Sequence, residues 1–227
     1  MSLVVTWLGH SCWTIRTDKH LLLIDPFLND SPTAPLKADE VDPDFILISH
    51  GHFDHIADAA EIAKRTNATV ISNYEICTWL AAQGVKNTIG GNLGGWSSHA
   101  FGRVQSTLAY HSSQLPDGSY GGAPGGFLFV IGDKRLYFAC DTALFSDMQL
   151  IGAKGLDLAV VPIGDLFTMG PDDSIEAVKL LTPRHVLPTH YDTWPPIAQD
   201  AKLWAERVRT ETGSAATALK PGEAITL

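Results

Sequence analysis

The chain begins with three short apolar runs separated by polar turns. They read "LVVTWLG", "CWTIRT" and "HLLLIDP". Short runs that are rich in β-branched, aromatic and aliphatic residues and bounded by turn residues are typical of β-strands. The opening of the chain therefore predicts an antiparallel meander.

Strands and helices then alternate. The apolar run "FILIS" precedes the helical pattern "DAAEIAKRT", and "TVIS" precedes "YEICTWLAAQG". Gly84, at the end of the second helical pattern, stands where a helix C-cap is expected. This segment predicts two strand–helix units.

The second half repeats this order after a glycine-rich stretch. Its strand-like runs are "RVQSTLAY", "FLFVIG" and "RLYFAC", and Gly132–Asp133 is typical of a hairpin turn between the last two. Two further strand–helix units follow, "DLAVVPI" with "DDSIEAVKLL" and "HVLPTH" with a last amphipathic helix, before "TALKPGEAITL" closes the chain with one or two edge strands. The last helix has one apolar face, formed by Ile197, Ala201, Trp204, Ala205 and Val208.

Each half of the chain thus consists of strands followed by strand–helix units. This order predicts an α/β fold in which two mixed β-sheets pack face to face and helices flank both, a four-layer αββα sandwich. No Pro- or Ser-rich linker interrupts the pattern, so residues 1–227 are predicted to form one domain.

Composition narrows the classes of function. The 227 residues are 45% hydrophobic and 18% charged, as in a globular protein, and the formal net charge of −9 disfavours a nucleic-acid-binding surface. No apolar run is long enough to span a membrane, and three scattered cysteines fit a reducing compartment. We expect a cytoplasmic protein with a small-molecule substrate and neither nucleic acid nor membrane as partner, and the sequence leaves open whether it is a homo-oligomer.

The segment "SHGHFDHIAD" holds the most informative polar cluster. Three of the nine histidines, His50, His52 and His55, lie within six positions together with Asp54, between a predicted strand and a predicted helix. Residues two apart in an extended segment point the same way, so His50 and His52 can point towards one position. Asp54 and His55 lie on the turn that follows and can face a second position nearby. Imidazole and carboxylate groups bind divalent metals, which favours a metal site over an ordinary polar loop.

Further metal ligands are predicted directly after other strands. His111, Asp141 and His190 each follow an apolar run. A residue directly after a strand has a rigid backbone, and its side chain can extend beyond the apolar core to bind a metal. Because neighbouring strand residues face opposite sides, at most one of Cys140 and Asp141 should reach the metals. We expect it to be Asp141, since a carboxylate can bridge two cations, and Cys140 to pack into the apolar interior.

The order H-x-H-x-D-H, then His, Asp and His, resembles the metallo-β-lactamase superfamily. The segments "TWLGHSCWTI", "LLIDPF", "FACDT", "VPIGD" and "PTHY" look like its branch of predicted metal-dependent hydrolases related to ascorbate-6-phosphate lactonase. The resemblance covers essentially the whole chain and implies an αββα fold with metals at one edge of the sheets. It assigns His50, His52 and His111 to a first metal, Asp54, His55 and His190 to a second, and Asp141 to a bridge between them.

Two departures from the family pattern concern the surroundings of the ligands. Cys140 replaces a glycine that is common before the bridging aspartate, and Asp192 stands where a small residue is common and can alter the charge of the pocket. His10 has two equally favoured interpretations. It either supports a metal ligand or contacts the substrate, or it makes a purely structural hydrogen bond. Asp25 is predicted to orient a ligand histidine through its free N–H, with a simple turn aspartate as the alternative.

Several loop features have an ordinary and a functional interpretation. The glycine-rich stretches "GGNLGG" and "GSYGGAPGG" lack the residues of a phosphate-binding loop, and we interpret them as mobile loops, the second of them near the site. Phe167, Met169 and Trp194 lie on loops beside ligands, where they either shape a substrate pocket or serve loop packing.

The resulting hypothesis is a metal-dependent hydrolase. Two divalent cations, with zinc or manganese favoured and iron or nickel also compatible with the donors, would present hydroxide at neutral pH, oriented by Asp54, to a small-molecule ester, lactone or phosphoester. The alternatives are a nucleic-acid phosphodiesterase and a non-hydrolytic di-iron redox protein. The superfamily's oxygen-reducing branch typically has an acidic residue at the position of His52 and a flavin domain, and neither is found in this sequence.

Overall fold

The computed structural model describes residues 2–227 as two mixed β-sheets packed face to face. Within these residues each sheet has seven strands, in the orders β14-β1-β2-β3-β4-β5-β6 and β13-β12-β11-β10-β9-β8-β7. The strands are β1 Val4–Trp7, β2 Trp13–Arg16, β3 Leu21–Ile24, β4 Phe45–Leu47, β5 Thr69–Asn73, β6 Thr88–Gly91, β7 Trp96–His99, β8 Gly102–Leu108, β9 Gly125–Ile131, β10 Lys134–Phe138, β11 Leu158–Pro162, β12 His185–Thr189, β13 Ala215–Ala216 and β14 Ala224–Thr226.

Helices cover the outer faces of both sheets. They are α1 Phe53–Ile56, α2 Ala59–Thr66, α3 Tyr74–Ala82, α4 Met148–Gly152, α5 Pro171–Leu181 and α6 Ala201–Glu211, with 3₁₀ turns at Ala38–Glu40 and Pro195–Ile197. Apolar residues of α2 and α3 form one core cluster with the first sheet, and those of α4, α5 and α6 join the large cluster that fills the space between the sheets. The predicted four-layer αββα sandwich is confirmed.

Each sheet contains an antiparallel half and a parallel half. In the first sheet β14, β1, β2 and β3 pair antiparallel, and β3 through β6 pair parallel. The second sheet is arranged likewise, with β7 through β10 antiparallel and β10 through β13 parallel. As a result β1, β3, β4, β8, β10, β11 and β12 all bring their carboxyl ends to one edge of the sandwich.

Most predicted elements form as expected, including the turn at Gly132, whose φ of +62° and the pairing of Ile131 with Lys134 give the hairpin. Two expectations were wrong. Ile197 lies in the 3₁₀ turn before α6 and not on the helix. Gly90 and Gly91, expected in a mobile loop, form the edge strand β6, because main-chain hydrogen bonding to β5 needs no side chains.

The described helices are all too short or too polar to cross a membrane.

One close backbone approach fixes the spacing of two strand ends. A Cβ on Gly164, just after β11, would overlap the carbonyl oxygen of His190, just after β12. We therefore expect Gly164→Ala to separate these two strand ends and lower the melting temperature by roughly 3–10 °C, the effect of an overpacked core. Thermal unfolding followed by circular dichroism measures this shift.

Gly213→Ala is the matched control. In the described part of the chain nothing lies within 4 Å of the place that its Cβ would take. The same added methyl group should leave the melting temperature nearly unchanged. Equal losses in both variants would show that the contact with His190 does not constrain the fold.

Candidate metal centre

The predicted ligands converge at the edge where the parallel strand ends meet. The first sheet contributes His10 after β1, Asp25 after β3 and the segment 50–55 after β4, and the second contributes His111 after β8, Asp141 after β10 and His190 after β12. The backbone turns sharply at several of these ends, with positive φ at His10 (48°), Asp25 (46°), Cys140 (53°) and His190 (55°). A left-handed conformation costs a non-glycine residue roughly 1–2 kcal/mol, so these turns are held by the surrounding structure.

Asp141 lies at the centre of the cluster. Its Oδ2 atom is 3.0 Å from His190 Nε2, 3.3 Å from His55 Nε2, 3.7 Å from His111 Nε2 and 4.0 Å from His50 Nε2. Burial alone would raise the pKa of this carboxyl, but His190 and His55 hold it well below its ordinary value. One buried carboxylate oxygen therefore faces imidazoles from both sheets.

The first group of candidate metal ligands consists of three histidines. The ring centroids of His50 and His52 are 4.5 Å apart, and His111 lies 4.9 Å from the first ring and 5.0 Å from the second. One ligand atom of each residue falls within 4.8 Å of those of the other two. Burial lowers the pKa of His50 well below its ordinary value, so this imidazole is neutral and available as a metal ligand.

Asp54, His55 and His190 form the second group, together with His10. His55 donates from Nδ1 to the Asp25 carboxylate at 2.9 Å, which turns Nε2 towards the centre. That Nε2 atom is buried, and although Asp141 Oδ2 lies 3.3 Å away, it makes no hydrogen bond of acceptable geometry among the described residues. A buried ring nitrogen without a partner, surrounded by nitrogen and oxygen donors, fits a divalent cation.

Asp25 makes the contact with a ligand histidine that its predicted role requires, and it also supports a second one. One carboxylate oxygen accepts from the Ser49 backbone N–H at 2.7 Å, and the other accepts from the Ser49 hydroxyl at 2.6 Å and from His55. Because the hydroxyl hydrogen of Ser49 is used on Asp25, Ser49 must accept from Nδ1 of His50, at 2.9 Å. This leaves Nε2 of His50 unprotonated, with its lone pair facing the cluster and 2.9 Å from Nδ1 of His52.

His10 contacts Asp54 and is closed off from the cavity. Its Nε2 lies 2.9 Å from Asp54 Oδ2 and its Nδ1 lies 2.7 Å from the hydroxyl of Thr193. The residue is fully buried, and burial followed by the nearby His190 lowers its pKa to about 4. These contacts favour the interpretation in which His10 supports a ligand, and its burial argues against direct contact with substrate.

The two residues that depart from the family pattern are not among the grouped candidate ligands. Cys140 packs in the core between the sheets, with Sγ 3.7 Å from the Phe138 carbonyl oxygen, and burial raises the pKa of its thiol well above the ordinary value. Asp192 is exposed and accepts from the Gln199 backbone N–H at 2.9 Å. Asp192 is not among the residues that line the cavity beside the cluster.

A cavity of about 890 Å³ opens onto this cluster. Phe167 and Trp194 line it, as one interpretation of the loops expected, and Gly118 of the second glycine-rich stretch does so too. Met169 is instead buried in the core, where it serves packing. Ser49 and Thr193, which contact His50 and His10, were not predicted from the sequence. For Ser49, its position next to His50 was the available signal.

Comparisons with known proteins agree with this arrangement. The model of the family described as beta-lactamase superfamily domain matches residues 4–190. The chain is 48% identical to a UPF0173 metal-dependent hydrolase of Thermus thermophilus, over 98% of both chains, and 47% identical to one of Symbiobacterium thermophilum, over 98% of this chain and 99% of the relative. Among solved structures it resembles Igni18, a metallo hydrolase of Ignicoccus hospitalis, with a TM-score of 0.91 and 33% identity over 100% of this chain and 99% of the other.

The assignment of Asp141 rather than Cys140 as a ligand is tested by metal content. We expect Asp141→Ala to lose metal because it removes the carboxylate at the centre of the cluster. Cys140→Ala should retain metal and lose roughly 1 kcal/mol of stability through the small cavity it leaves. Plasma emission spectrometry of the two purified variants measures the difference, and metal loss in Cys140→Ala with retention in Asp141→Ala would reverse the assignment.

Asp25 is tested by a substitution that keeps its shape. Asp25→Asn weakens the acceptor that orients His55 and Ser49, so we expect metal affinity to fall about 10–100-fold. Competition with a fluorescent chelator measures the affinity. Asp192→Asn, the same change at an exposed strand end, should leave it unaltered, and an Asp25→Asn variant with unaltered affinity would show that Asp25 is only a turn residue.

Proposed function

We propose a specific reaction for this chain, which belongs to the metallo-β-lactamase superfamily and is a metal-dependent hydrolase. The reaction is hydrolysis of an ester, lactone or phosphoester bond in a small molecule, at a centre that binds two divalent cations. The supporting observation is that three histidines and two aspartates from both sheets line an open cavity, and that the buried His50 and His55 are grouped with them. A closed structural metal site would leave no room for a substrate.

The donor geometry suggests how the cations are divided. His50, His52 and His111 form one group, and Asp54, His55 and His190 form another. Asp141 approaches members of both groups, which suits a bridging carboxylate. Nitrogen and oxygen donors of this kind accept zinc or manganese, as well as iron or nickel.

Such a pair of cations, when bound, polarises the bond under attack and lowers the pKa of coordinated water. Asp54 supplies the acceptor that positions this water. It lines the cavity, and His10 fixes one of its carboxylate oxygens. Burial alone would raise the pKa of Asp54, but His55 and then His10 lower it below its ordinary value, so the carboxylate remains an acceptor.

The rival functions have less support. Among residues 2–227, no lysine or arginine lines the cavity, whereas a nucleic-acid phosphodiesterase needs cations for the phosphate backbone. The oxygen-reducing di-iron branch of the superfamily typically has an acidic residue at the position of His52. The histidine found here therefore disfavours a di-iron redox protein. The relation to ascorbate-6-phosphate lactonase, the choice of metal and the cytoplasmic location remain predictions.

Asp54→Asn tests the proposed role of Asp54. An amide is a poor metal ligand and a poor acceptor for the attacking water, so we expect hydrolysis to fall by several orders of magnitude. The assay is a panel of lactones, aryl esters and phosphoesters, run on chelator-treated protein that has been reloaded with zinc or with manganese. Metal content measured in parallel distinguishes loss of metal from loss of water positioning.

The control is Asp133→Asn, at the exposed turn between β9 and β10. It should hydrolyse the same substrates at the rate of the parent protein. An Asp54→Asn variant that is as active as this control, or parent protein that is fully active after complete metal removal, would contradict the proposal.

A further inference from the structure

The cavity beside the candidate metal centre has a polar floor and apolar walls. The walls are formed by Phe53, Leu115, Leu166, Phe167, Trp194 and Pro196. Among the described residues that line it, none is a lysine or an arginine, and Asp54 and Asp141 belong to the floor. Apart from Ser112 and Gln114, a substrate group that lies beyond the reacting bond therefore meets apolar side chains, and it meets no lysine or arginine.

One wall is a rigid aromatic assembly. Phe27, which is fully buried, lies edge-on to Phe53 at 5.8 Å and 6.0 Å from Trp194, and the last two rings are 6.1 Å apart. Trp194 also contacts the ring of His10 at 5.1 Å, and His10 holds Asp54. The aromatic surface is thus fixed relative to the carboxylate that faces the reacting bond.

A second part of the wall is a loop in a strained conformation. Asp165 and Leu166 both have positive φ, 64° and 51°, and the loop is tied to the site by the hydrogen bond from Met169 N–H to the carbonyl of Thr142, next to Asp141. It presents Leu166 and Phe167 to solvent at the cavity, 66% and 56% exposed. Two large apolar side chains held in water on a strained backbone indicate a ligand-binding surface.

We propose that the substrate is an uncharged molecule that carries a bulky apolar group, aryl or alkyl, next to the bond that is hydrolysed. The apolar group lies between the aromatic wall and the Leu166–Phe167 loop. Sugar phosphates and other substrates with an anionic group away from the reacting bond are excluded, because no cation replaces the water that such a group would lose. This inference rests on the proposed function and narrows its substrate class.

Hydroxamates test the inference without requiring turnover, since they bind metals in hydrolase sites and carry a tail of choice. The probes are acetohydroxamate, octanohydroxamate and suberic acid monohydroxamate, the last with a tail of similar length that ends in a carboxylate. Binding to zinc-loaded and to chelator-treated protein is measured by calorimetry. We expect octanohydroxamate to bind about 10–100-fold tighter than acetohydroxamate, from burial of a few methylene groups, and the carboxylate tail to give no such gain.

The outcomes separate the two proposals. If no hydroxamate binds in a metal-dependent manner, both the proposed function and the inference drawn from it fail. If all three bind to the metal-loaded protein with equal affinity, or the carboxylate tail binds tightest, the proposed function stands and the apolar substrate is refuted.

Phe167→Lys provides a second test, because Phe167 is largely exposed and its replacement should not unfold the protein. A lysine at the wall should shift the ratio of affinities from the octanoyl towards the carboxylate tail by at least about fivefold. Leu203→Lys is the matched control, since Leu203 is 54% exposed on α6 and does not line this cavity. A ratio that changes equally in both variants, or in neither, would refute a tail site at this wall.

Discussion

The structure depends on the burial of the Asp141 carboxylate among imidazoles at the meeting point of the two sheets. One oxygen atom lies within 4.0 Å of ring nitrogens from His50, His55, His111 and His190. Charged and polar groups taken out of water in this way need compensation. A divalent cation would supply it, and because the candidate ligands come from both sheets, the same ion would join the two halves of the sandwich.

The strand ends determine where this cluster lies, and hydrogen bonds from neighbouring residues hold its side chains. Parallel strand ends converge on one edge, and the backbone leaves the strands there through residues with left-handed conformation at His10, Asp25 and His190. Asp25 and Ser49 then fix the ring orientations of the ligand histidines through hydrogen bonds. The candidate metal ligands thus follow directly after strands, whereas the loop with Phe167 contributes to the wall of the cavity beside them.

Much of this could be predicted from the sequence, because the signals are local. Strand periodicity and the six-residue motif that starts at His50 give the fold and the position of most donors. Contacts across long distances in the chain could not be predicted, such as that of His10 with Thr193, which lies 183 positions away. The edge strand β6 was missed because its glycines form main-chain hydrogen bonds without an apolar sequence pattern. Whether Phe167 or Met169, two positions apart on one loop, would be exposed could not be predicted either, because it depends on the conformation of that loop.

The most direct test of the central claim is a crystal structure of the protein loaded with manganese, with anomalous diffraction recorded near the manganese absorption edge. The account predicts two anomalous peaks at the strand-end cluster. One should be bound by His50, His52 and His111, the other by Asp54, His55 and His190, and Asp141 should contact both at about 2.0–2.3 Å. Peaks that lie elsewhere in the protein, or a filled cluster in which Asp141 contacts no metal, would contradict it.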